Sequence, residues 1–434
     1  NQSEVDFKNE GGEIFICGNP PYKGRNKKDA KEKKQTKKVF EKYSGSFAAL
    51  DFVANWFLIA SEYCSSTNSS FAFVSTNSIC QGEQVALLWP ILFKNNLKIS
   101  FAHTSFQWSN LATDKAGVTV VIVGMSNKVD EPLLINQSEI RAVNNIGPYL
   151  VANSSVIVKQ RLKPLSNIDE MYLGNMAKDG GNLIFTIDHS RKLIQKYNVD
   201  KKFIKKFYGS EELIHGKPRA CLWILDDEKE RASQNPKILE IMGKVRNFRL
   251  QSKAPSTKKY ASTPHKFVQI SAKNGSKAIV IPRVSSHNRS YLPVDYLKSG
   301  PTIGDKCFAI YDSPIWNFSL LSSRIHLIWI ATVCSRLRND FSYGNKLGWN
   351  TFPVPKLTEK NKNDLTNTAN KILLTRENYF PNSIAELYRA DMPDDLKFVH
   401  DQNDKIIERI YIGRSFKNDS ERLEKLFSLY EEMN

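Results

Sequence analysis

The sequence lacks the features that mark several common protein classes. Its six cysteines are scattered and form no C-x-x-C pair, which excludes a zinc ribbon and argues against a disulfide scaffold. Its longest apolar run, Ile325 to Val333, is far too short to span a bilayer. Membrane, secreted and metal-clustered proteins are therefore set aside. We expect a cytoplasmic protein with reduced, mostly buried thiols.

Two further features are missing at the start of the chain. No signal sequence is present, and the first residue is Asn1 rather than Met. No G-x-G-x-x-G turn, which would hold a nucleotide cofactor, lies upstream of Asn19. We therefore expect a piece of a longer protein.

Acidic residues are also scarce. Lys and Arg number 62 against 45 Asp and Glu, which gives a net charge of +17 and favours a polyanionic partner. The segment from Lys23 to Lys38 holds nine basic and two acidic residues. Such a run is commonly a solvated loop, but this one begins directly after the strongest motif of the chain. Double-stranded DNA is the partner that we expect.

The apolar pattern predicts three regions. Residues 1–145 alternate strand and helix and read as half of a doubly wound α/β sheet. Residues 146–355 read as an α+β domain and end at a proline-rich boundary, and residues 356–434 read as a small all-helical domain. The predicted elements of the first region are a strand at 14–17, a helix at 48–63, a strand at 71–75, a helix at 84–93, and strands at 99–102 and 118–123.

The other two regions have shorter elements. The second is predicted to contain a helix over Pro236 to Leu250 and a strongly apolar helix from about Leu320 to Leu337. The third is predicted to contain helices at 365–378, 384–388, 396–411 and 420–432. The strands predicted in the second region lie at 156–158, 183–186, 220–225, 268–271, 278–282 and 308–311.

Gly18-Asn19-Pro20-Pro21-Tyr22, at the carboxyl end of the first predicted strand, is the most informative motif. An asparagine oxygen and a rigid backbone carbonyl can each accept one N–H of an exocyclic aromatic amine, which frees the nitrogen lone pair for attack on a methyl sulfonium. Two prolines fix that carbonyl, and Tyr22 offers a flat face for a base taken out of the duplex. The alternative is an ordinary Asn-Pro turn after a strand.

Asn19-Pro20-Pro21-Tyr22 resembles motif IV of the amino-group DNA methyltransferases, in the form usual for adenine N6 enzymes. The segments Phe73–Val85 and Phe101–Asn110, with Val118–Gly124 after them, resemble the MmeI-like single-chain restriction–modification enzymes. The resemblance covers nearly the whole chain. The segments that resemble that family's target-recognition and C-terminal parts are Gly174-Asn175, Asp179–Asn182, Gly209–Glu212, Pro282–Ser286 and Leu396–His400 with Ile406 and Ile407.

The resemblance implies a role for each matching residue. Asn19 and the carbonyl of Pro20, held by Pro21, would bind the N6 amine, and Tyr22 would stack on the flipped adenine. Phe106, with Trp108 nearby, would cover the other face of the base, although both could be plain core aromatics. The implied cofactor is S-adenosylmethionine, and Asn19, Asp51 and Phe52 would line its pocket. For Asp51 and Phe52, a simple helix start is the alternative.

The chain departs from this family in one respect. The upstream nuclease domain, helical connector and glycine-rich half of the cofactor-binding sheet of such enzymes have no counterpart here. We therefore expect an incomplete cofactor pocket, a chain that is inactive alone, and a missing N-terminal region in the parent or on a separate chain. No nuclease motif and no metal ligands are predicted, because His265 and His287 lack a ligand-spaced partner.

Sequence-specific contact with DNA requires planar donors for base edges and cations for phosphates. Arg289 could bind guanine and Asn288 adenine, unless their segment is a solvated surface loop. A second basic and aromatic cluster consists of Arg219, Arg336, Arg338, Tyr343 and Lys346. The predicted DNA-binding residues are Lys23, Arg25, Lys27, Lys28, Arg283, Ser285, Ser286, Asn288, Arg289, Arg336, Arg338 and Lys346.

Three functions compete on this evidence. The first is part of a site-specific adenine-N6 DNA methyltransferase of a restriction–modification system. The second is a DNA-specificity subunit or fragment that binds without catalysing. The third is a general RNA- or DNA-binding protein. The intact Asn19-Pro20-Pro21-Tyr22 motif favours the first for the parent protein, whereas the missing cofactor turn favours the second for this chain alone.

Overall fold

The computed structural model describes residues 13–25, 27–108, 118–137, 139–271 and 275–434. The chain divides into two compact units. The first unit contains residues 1–166, 328–355 and 416–434, and the second contains residues 167–327 and 356–415. Each unit therefore combines segments that are distant in the sequence.

The described strands are numbered in chain order. They are β1 (Ile14–Gly18), β2 (Ser69–Thr76), β3 (Lys98–Trp108), β4 (Val118–Ser126), β5 (Leu133–Ile135), β6 (Ile140–Ala142), β7 (Tyr172–Leu173), β8 (Ile184–Phe185), β9 (Ile204–Tyr208), β10 (Arg219–Leu222), β11 (Lys277–Pro282), β12 (Val284–Ser285), β13 (Asp295–Lys298), β14 (Thr302–Ile303), β15 (Cys307–Tyr311), β16 (Arg336–Leu337) and β17 (Asp340–Ser342).

The described α-helices follow the same convention. They are α1 (Ala30–Val39), α2 (Ala54–Ser66), α3 (Glu83–Lys94), α4 (Ile187–Tyr197), α5 (Ser210–Ile214), α6 (Lys229–Ser233), α7 (Pro236–Leu250), α8 (Pro255–Lys258), α9 (Trp316–Leu321), α10 (Arg324–Val333), α11 (Glu359–Glu377), α12 (Ile384–Leu387), α13 (Asp394–Ile412) and α14 (Asp419–Met433).

The first unit is built on a mixed sheet with the strand order β1-β2-β4-β3-β5-β6. β1 runs parallel to β2, whereas β4 is antiparallel to both β2 and β3. Alternate residues of β2 are buried, and the rings of Phe71 and Phe73 lie 5.8 and 5.4 Å from Phe57 of α2. The buried side chains of β2 therefore point to one face of the sheet, and α2 packs against that face. The predicted α/β half-sheet is confirmed.

The second unit contains two four-stranded sheets, ordered β14-β9-β10-β8 and β13-β11-β15-β7. Five consecutive residues of β11, Ala278 to Pro282, are buried, as expected for a central strand. The predicted α+β character of this region and the helical character of the C-terminal region are confirmed. α11 and α13 are the two long helices of the C-terminal region that belong to this unit. α11 begins with a capping box between Thr358 and Asn361.

Three predicted elements are wrong. The predicted helix from Leu320 to Leu337 is broken after Leu321, because the Ser323 hydroxyl accepts the N–H of His326 and so caps a new helix. That helix ends at Val333, and a hairpin follows. No strand forms at Val156–Val158, where the Val158 N–H donates to the Tyr149 hydroxyl. The segment Val268–Ser271 contributes only an isolated bridge.

Two simple expectations can be checked in the described residues. Five cysteines are buried, Cys17 is exposed, and all six are free thiols, as predicted. No helix among the residues that the structure describes is long and apolar enough to cross a membrane.

Candidate active site and DNA-contact residues

The segment Asn19 to Tyr22 begins where β1 ends. Gly18, the last residue of β1, lies opposite Phe73 of β2 in parallel register. Asn19 and Pro21 are exposed, Pro20 is buried, and Tyr22 is half-buried. Because successive prolines restrict the backbone, the Asn19 side chain and the Pro20 carbonyl are held at the carboxyl edge of the sheet.

Asp51 and Phe52 hold the residue that follows this segment. The backbone N–H of Lys23 donates to Oδ1 of Asp51 at 2.8 Å, and the N–H of Phe52 donates to the carbonyl oxygen of Lys23 at 3.0 Å. Oδ1 of Asp51 also accepts the N–H of Val53, at 3.3 Å. Both Asp51 and Phe52 are buried. They bind both the N–H and the carbonyl of Lys23, a role that no local sequence pattern indicates. Their predicted contact with the cofactor stays a prediction.

Phe106 and Trp108 lie at the same edge of the sheet. Thr76, near the carboxyl end of β2, is paired with Val120 of β4, and Val120 is paired with Phe106 of β3. The Phe106 ring lies 6.3 Å from the Trp108 ring, and both residues are half-buried. The register therefore brings the two predicted stacking aromatics to the edge that bears Asn19 and Tyr22.

The basic segment after Tyr22 is largely helical rather than a loop. Asp29 and Glu32 form a capping box that starts α1, and Glu32 also binds the Lys23 ammonium group. Of the predicted phosphate contacts, Arg25 and Lys27 are exposed, but Lys28 is buried. The Nζ atom of Lys28 donates to the Leu50 carbonyl at 2.7 Å, and burial lowers its pKa. The exposed lysines of α1 are Lys31, Lys33, Lys34, Lys37 and Lys38.

The predicted recognition segment, residues 283–289, makes several internal contacts. The Arg283 guanidinium donates to the Asp305 carbonyl at 3.1 Å and lies 5.7 Å from the Phe308 ring. Nη1 of Arg289 is 3.4 Å from the hydroxyl of Ser285, which is buried. Asn288 is exposed, whereas Ser286 and Arg289 are half-buried. Among these residues, Asn288 and Arg289 are best placed to reach a ligand.

The members of the second predicted basic cluster differ in exposure. Arg336 is half-buried, and its Nη1 donates to the Asn339 carbonyl at 2.8 Å. Arg338 and Lys346 are exposed. Arg219, in the other unit, pairs with Glu212 at 2.7 Å. Tyr343 is buried, which raises the pKa of its hydroxyl well above the ordinary value. Only the exposed cations can meet a phosphate without rearrangement.

No group of three or more metal-ligating side chains occurs within the described residues. His265 is buried, and its Nε2 lies 2.8 Å from the Asp226 carboxylate. Burial nevertheless lowers the pKa of this histidine, since desolvation outweighs the carboxylate. His265 is therefore a structural residue in a salt-bridged loop.

Three domain families match the chain along its length: the MmeI DNA-methyltransferase domain at residues 1–136, the MmeI target recognition domain at 152–356, and the MmeI C-terminal domain at 357–434. The three matches together cover nearly the whole chain, which belongs to the MmeI family. DNA methyltransferase A of Bacillus subtilis (strain 168) is 39% identical over 425 residues, which are 97% of this chain and 48% of that protein.

A solved structure of the type IIL restriction–modification enzyme MmeI in complex with DNA superposes with a TM-score of 0.86. The two sequences are 34% identical, and the match covers 96% of this chain and 57% of the MmeI chain. The family resemblance predicted from the motifs is thereby confirmed. The chain spans about half the length of the relatives that it matches.

Proposed function

We propose that this MmeI-family chain supplies the amine-binding edge and the DNA-recognition part of a site-specific adenine-N6 DNA methyltransferase. The proposal rests on one observation: Asn19 is exposed directly after β1, at the edge of the sheet that also bears Tyr22 and Phe106. Such an enzyme belongs to a restriction–modification system and acts on DNA in the cytoplasm of a bacterial or archaeal cell.

In the proposed reaction the protein positions the amine. Oδ1 of Asn19 and the Pro20 carbonyl each accept one N–H of the flipped adenine, and Tyr22 stacks on its ring. These two acceptors draw the nitrogen toward tetrahedral geometry, so that its lone pair is free to attack. S-adenosylmethionine, when bound, supplies an electrophilic methyl group on sulfur. Product analysis with the full-length protein tests this proposal, because labelled methyl groups must appear as N6-methyladenine, and any other methylated base would overturn it.

The described residues fit only one wall of a cofactor pocket. Oδ1 of Asp51 already accepts two backbone N–H groups, so that its capacity for a ligand is reduced. Among the described strands, β1 pairs with β2 alone. Phe15 of β1 is 69% exposed and Ile59 of α2 is 54% exposed. The groove beside them is lined by Ile14, Ile16, Trp56, Ile59, Ala60, Tyr63 and Phe73.

We infer that this edge receives the rest of the methyltransferase sheet. An exposed strand edge with apolar neighbours is a template for a further strand, and the strand would protect both the backbone groups and the groove. That strand would belong to the N-terminal region that the resemblance implies, in the same protein or on a separate chain. The second wall of the cofactor pocket would come with it.

Calorimetry should then show that this chain alone binds S-adenosylmethionine no tighter than about millimolar, which is worth only ~4 kcal/mol. Addition of the N-terminal region should tighten the binding, and Phe15→Asp should prevent the two parts from co-eluting in gel filtration. Phe380→Asp is the matched control, because Phe380 is also strongly exposed but lies in the second unit. Micromolar binding by the chain alone would contradict the inference.

The exposed lysines of α1 and Arg289 should contribute differently to DNA binding. Replacement of Lys31, Lys33 and Lys34 should weaken binding to all duplexes equally and flatten the salt dependence, since each neutralised phosphate releases counterions. Lys28 is left unchanged because it is buried. Arg289→Ala should cost ~1–3 kcal/mol on the cognate site and much less on random DNA. Titrations at several salt concentrations measure both effects.

The comparison between the two duplexes decides the role of Arg289. Equal losses on cognate and random DNA would make it a phosphate contact and would contradict base recognition. An unchanged salt slope after the lysine replacements would show that α1 does not contact the backbone. If Arg289 proves to be a phosphate contact, the recognition surface would have to be sought first among the exposed cations Arg338 and Lys346.

A further inference from the structure

A β-hairpin with a two-residue turn follows α10 in the first unit. In the pairing of β16 with β17, Leu337 lies opposite Asp340, so that Arg338 and Asn339 form the turn. Arg338 adopts a φ of 58°, in the left-handed region. Tight hairpin turns require this conformation at their first central residue, where glycine or asparagine is usual and arginine is strained. Strain of this kind is retained where the surrounding structure fixes it, often at functional sites.

Contacts within the hairpin fix its tip. The Arg336 guanidinium donates to the Asn339 carbonyl at 2.8 Å and lies 4.8 Å from the Phe341 ring. At the base of the hairpin, the N–H of Ser342 donates to the Ser335 carbonyl at 3.0 Å. Leu337 is nevertheless 57% exposed. The hairpin therefore presents an apolar side chain on a rigid tip, next to the exposed cation Arg338.

The tip is tied to the edge of the sheet that bears the candidate active site. The hydroxyl of Thr119 donates to Oδ1 of Asn339 at 2.7 Å, and Gln107 donates to the same hydroxyl at 3.0 Å. Thr119 is the partner of Gln107 in the sheet, and Gln107 lies between Phe106 and Trp108. Leu337 is thus two residues from Asn339, which is anchored beside the predicted base-stacking aromatics.

The start of the hairpin segment is anchored as well. The N–H of Gly82 donates to the carbonyl of Val333, the last residue of α10, at 3.1 Å. Gly82 has a φ of 63°, and a Cβ atom at this position would collide with the side chain of Ser335. Gly82 follows β2 by only a few residues. One end of the segment from Val333 to Asn339 is therefore held by the connection between β2 and α3, and the other end by β4.

We propose that Leu337 is a wedge that enters the base stack at the position vacated by the target adenine, while Arg338 binds the adjacent phosphate. This inference rests on the proposed function. A flipped nucleotide leaves a gap lined by the apolar faces of the neighbouring bases, and apolar side chains fill such gaps in proteins that distort the duplex. The rigid tip brings Leu337 to the gap with little loss of conformational entropy on binding.

The natural full-length protein tests the wedge with 2-aminopurine at the target position, because this base becomes fluorescent when it leaves the stack. Leu337→Ala should reduce the fluorescence gain of a paired 2-aminopurine. On a matched duplex with adenine at the target position, the same variant should slow methylation about tenfold or more. The same variant should recover to within about twofold of wild type when the target faces an abasic site, since unpairing then costs little. Leu337→Met should retain most of the activity.

Leu239→Ala is the matched control, because Leu239 on α7 is 55% exposed and belongs to the second unit. It should match wild type on both duplexes. Normal base flipping by Leu337→Ala, or an equal loss of activity on paired and abasic targets, would overturn the wedge. Inactivity of Asn19→Ala in the same assays would show that the proposed function still holds. A wild-type protein that produces no N6-methyladenine would instead overturn the proposed function, and the wedge with it.

Discussion

In the full-length protein, Asn19→Ala should reduce adenine methylation by roughly 10²–10³-fold while duplex binding stays within a few-fold of wild type. The carbonyl of Pro20 remains after this change, but one of the two acceptors for the amine N–H groups is lost. Loss of a single preorganised hydrogen-bonding group at a reacting centre has about this effect on the rate. Binding should persist, because Asn19 is one exposed residue and this chain carries a net charge of +17. Transfer of a radiolabelled methyl group and a filter-binding assay measure the two quantities.

Asn19→Asp is the matched variant for this experiment. An aspartate keeps an oxygen acceptor at the same distance from the backbone, so that its activity should exceed that of Asn19→Ala. If both variants lost activity equally, the side-chain oxygen would not be the required group. If Asn19→Ala kept its activity within tenfold of wild type, the assignment of the amine-binding site would be wrong.

The elements that the sequence predicts well are those whose signals are local. β1 is a short apolar run stopped by prolines, and α7 runs from a proline at its first turn to Leu250, as predicted. The C-terminal helices also begin at local caps, such as the one that Asn418 provides for α14. In each case the residues that set the element lie within a few positions of its ends.

The elements that the sequence predicts poorly depend on distant contacts. The apolar pattern continues from Leu320 to Leu337, and it gives no sign that Arg336 and Leu337 form a strand. The hairpin has no glycine at its turn, and its Asn339 is held by Thr119, which is 220 residues away. A turn stabilised in this way has no local signature.

In the candidate site too, the residues with a local sequence signal could be predicted and those that depend on distant contacts could not. Asn19 to Tyr22 could be recognised because the chemistry requires those residue types next to each other. The clamp by Asp51 could not, because the N–H that Asp51 accepts belongs to Lys23, 28 residues earlier. Lys28 illustrates the opposite error, since a lysine in a basic run suggests a phosphate contact whereas its ammonium group is buried against Leu50. Composition indicates charge but not which charges face solvent.

Arg249→Met should destabilise the second unit by roughly 3–5 kcal/mol, because several buried carbonyls lose their donor at a cost of about 1–3 kcal/mol for each one left unsatisfied. The Arg249 side chain is completely buried. Burial lowers its pKa, yet arginine stays charged because its ordinary pKa is so high. Its guanidinium donates hydrogen bonds to the backbone carbonyls of Ala177, Lys178, Tyr260, Thr263 and Lys266.

These five acceptors come from two chain segments that α7 holds together, residues 177–178 and residues 260–266. Methionine fills a similar volume but donates no hydrogen bond, so that buried carbonyls would be left unsatisfied. Lysine is also a poor replacement, because a single ammonium group has three donors and cannot reach acceptors spread around a planar guanidinium. Arg249→Lys should therefore recover only part of the loss.

Urea denaturation, followed by a spectroscopic probe of the second unit, measures the change in the free energy of unfolding. Arg246→Met is the matched control, since Arg246 lies one turn earlier on α7 and is exposed, and it should change stability by no more than about 0.5 kcal/mol. A loss below 1 kcal/mol for Arg249→Met would contradict the prediction. A loss of the expected size should also weaken sequence-specific DNA binding, because the predicted DNA contacts from Arg283 to Arg289 belong to the unit that Arg249 stabilises.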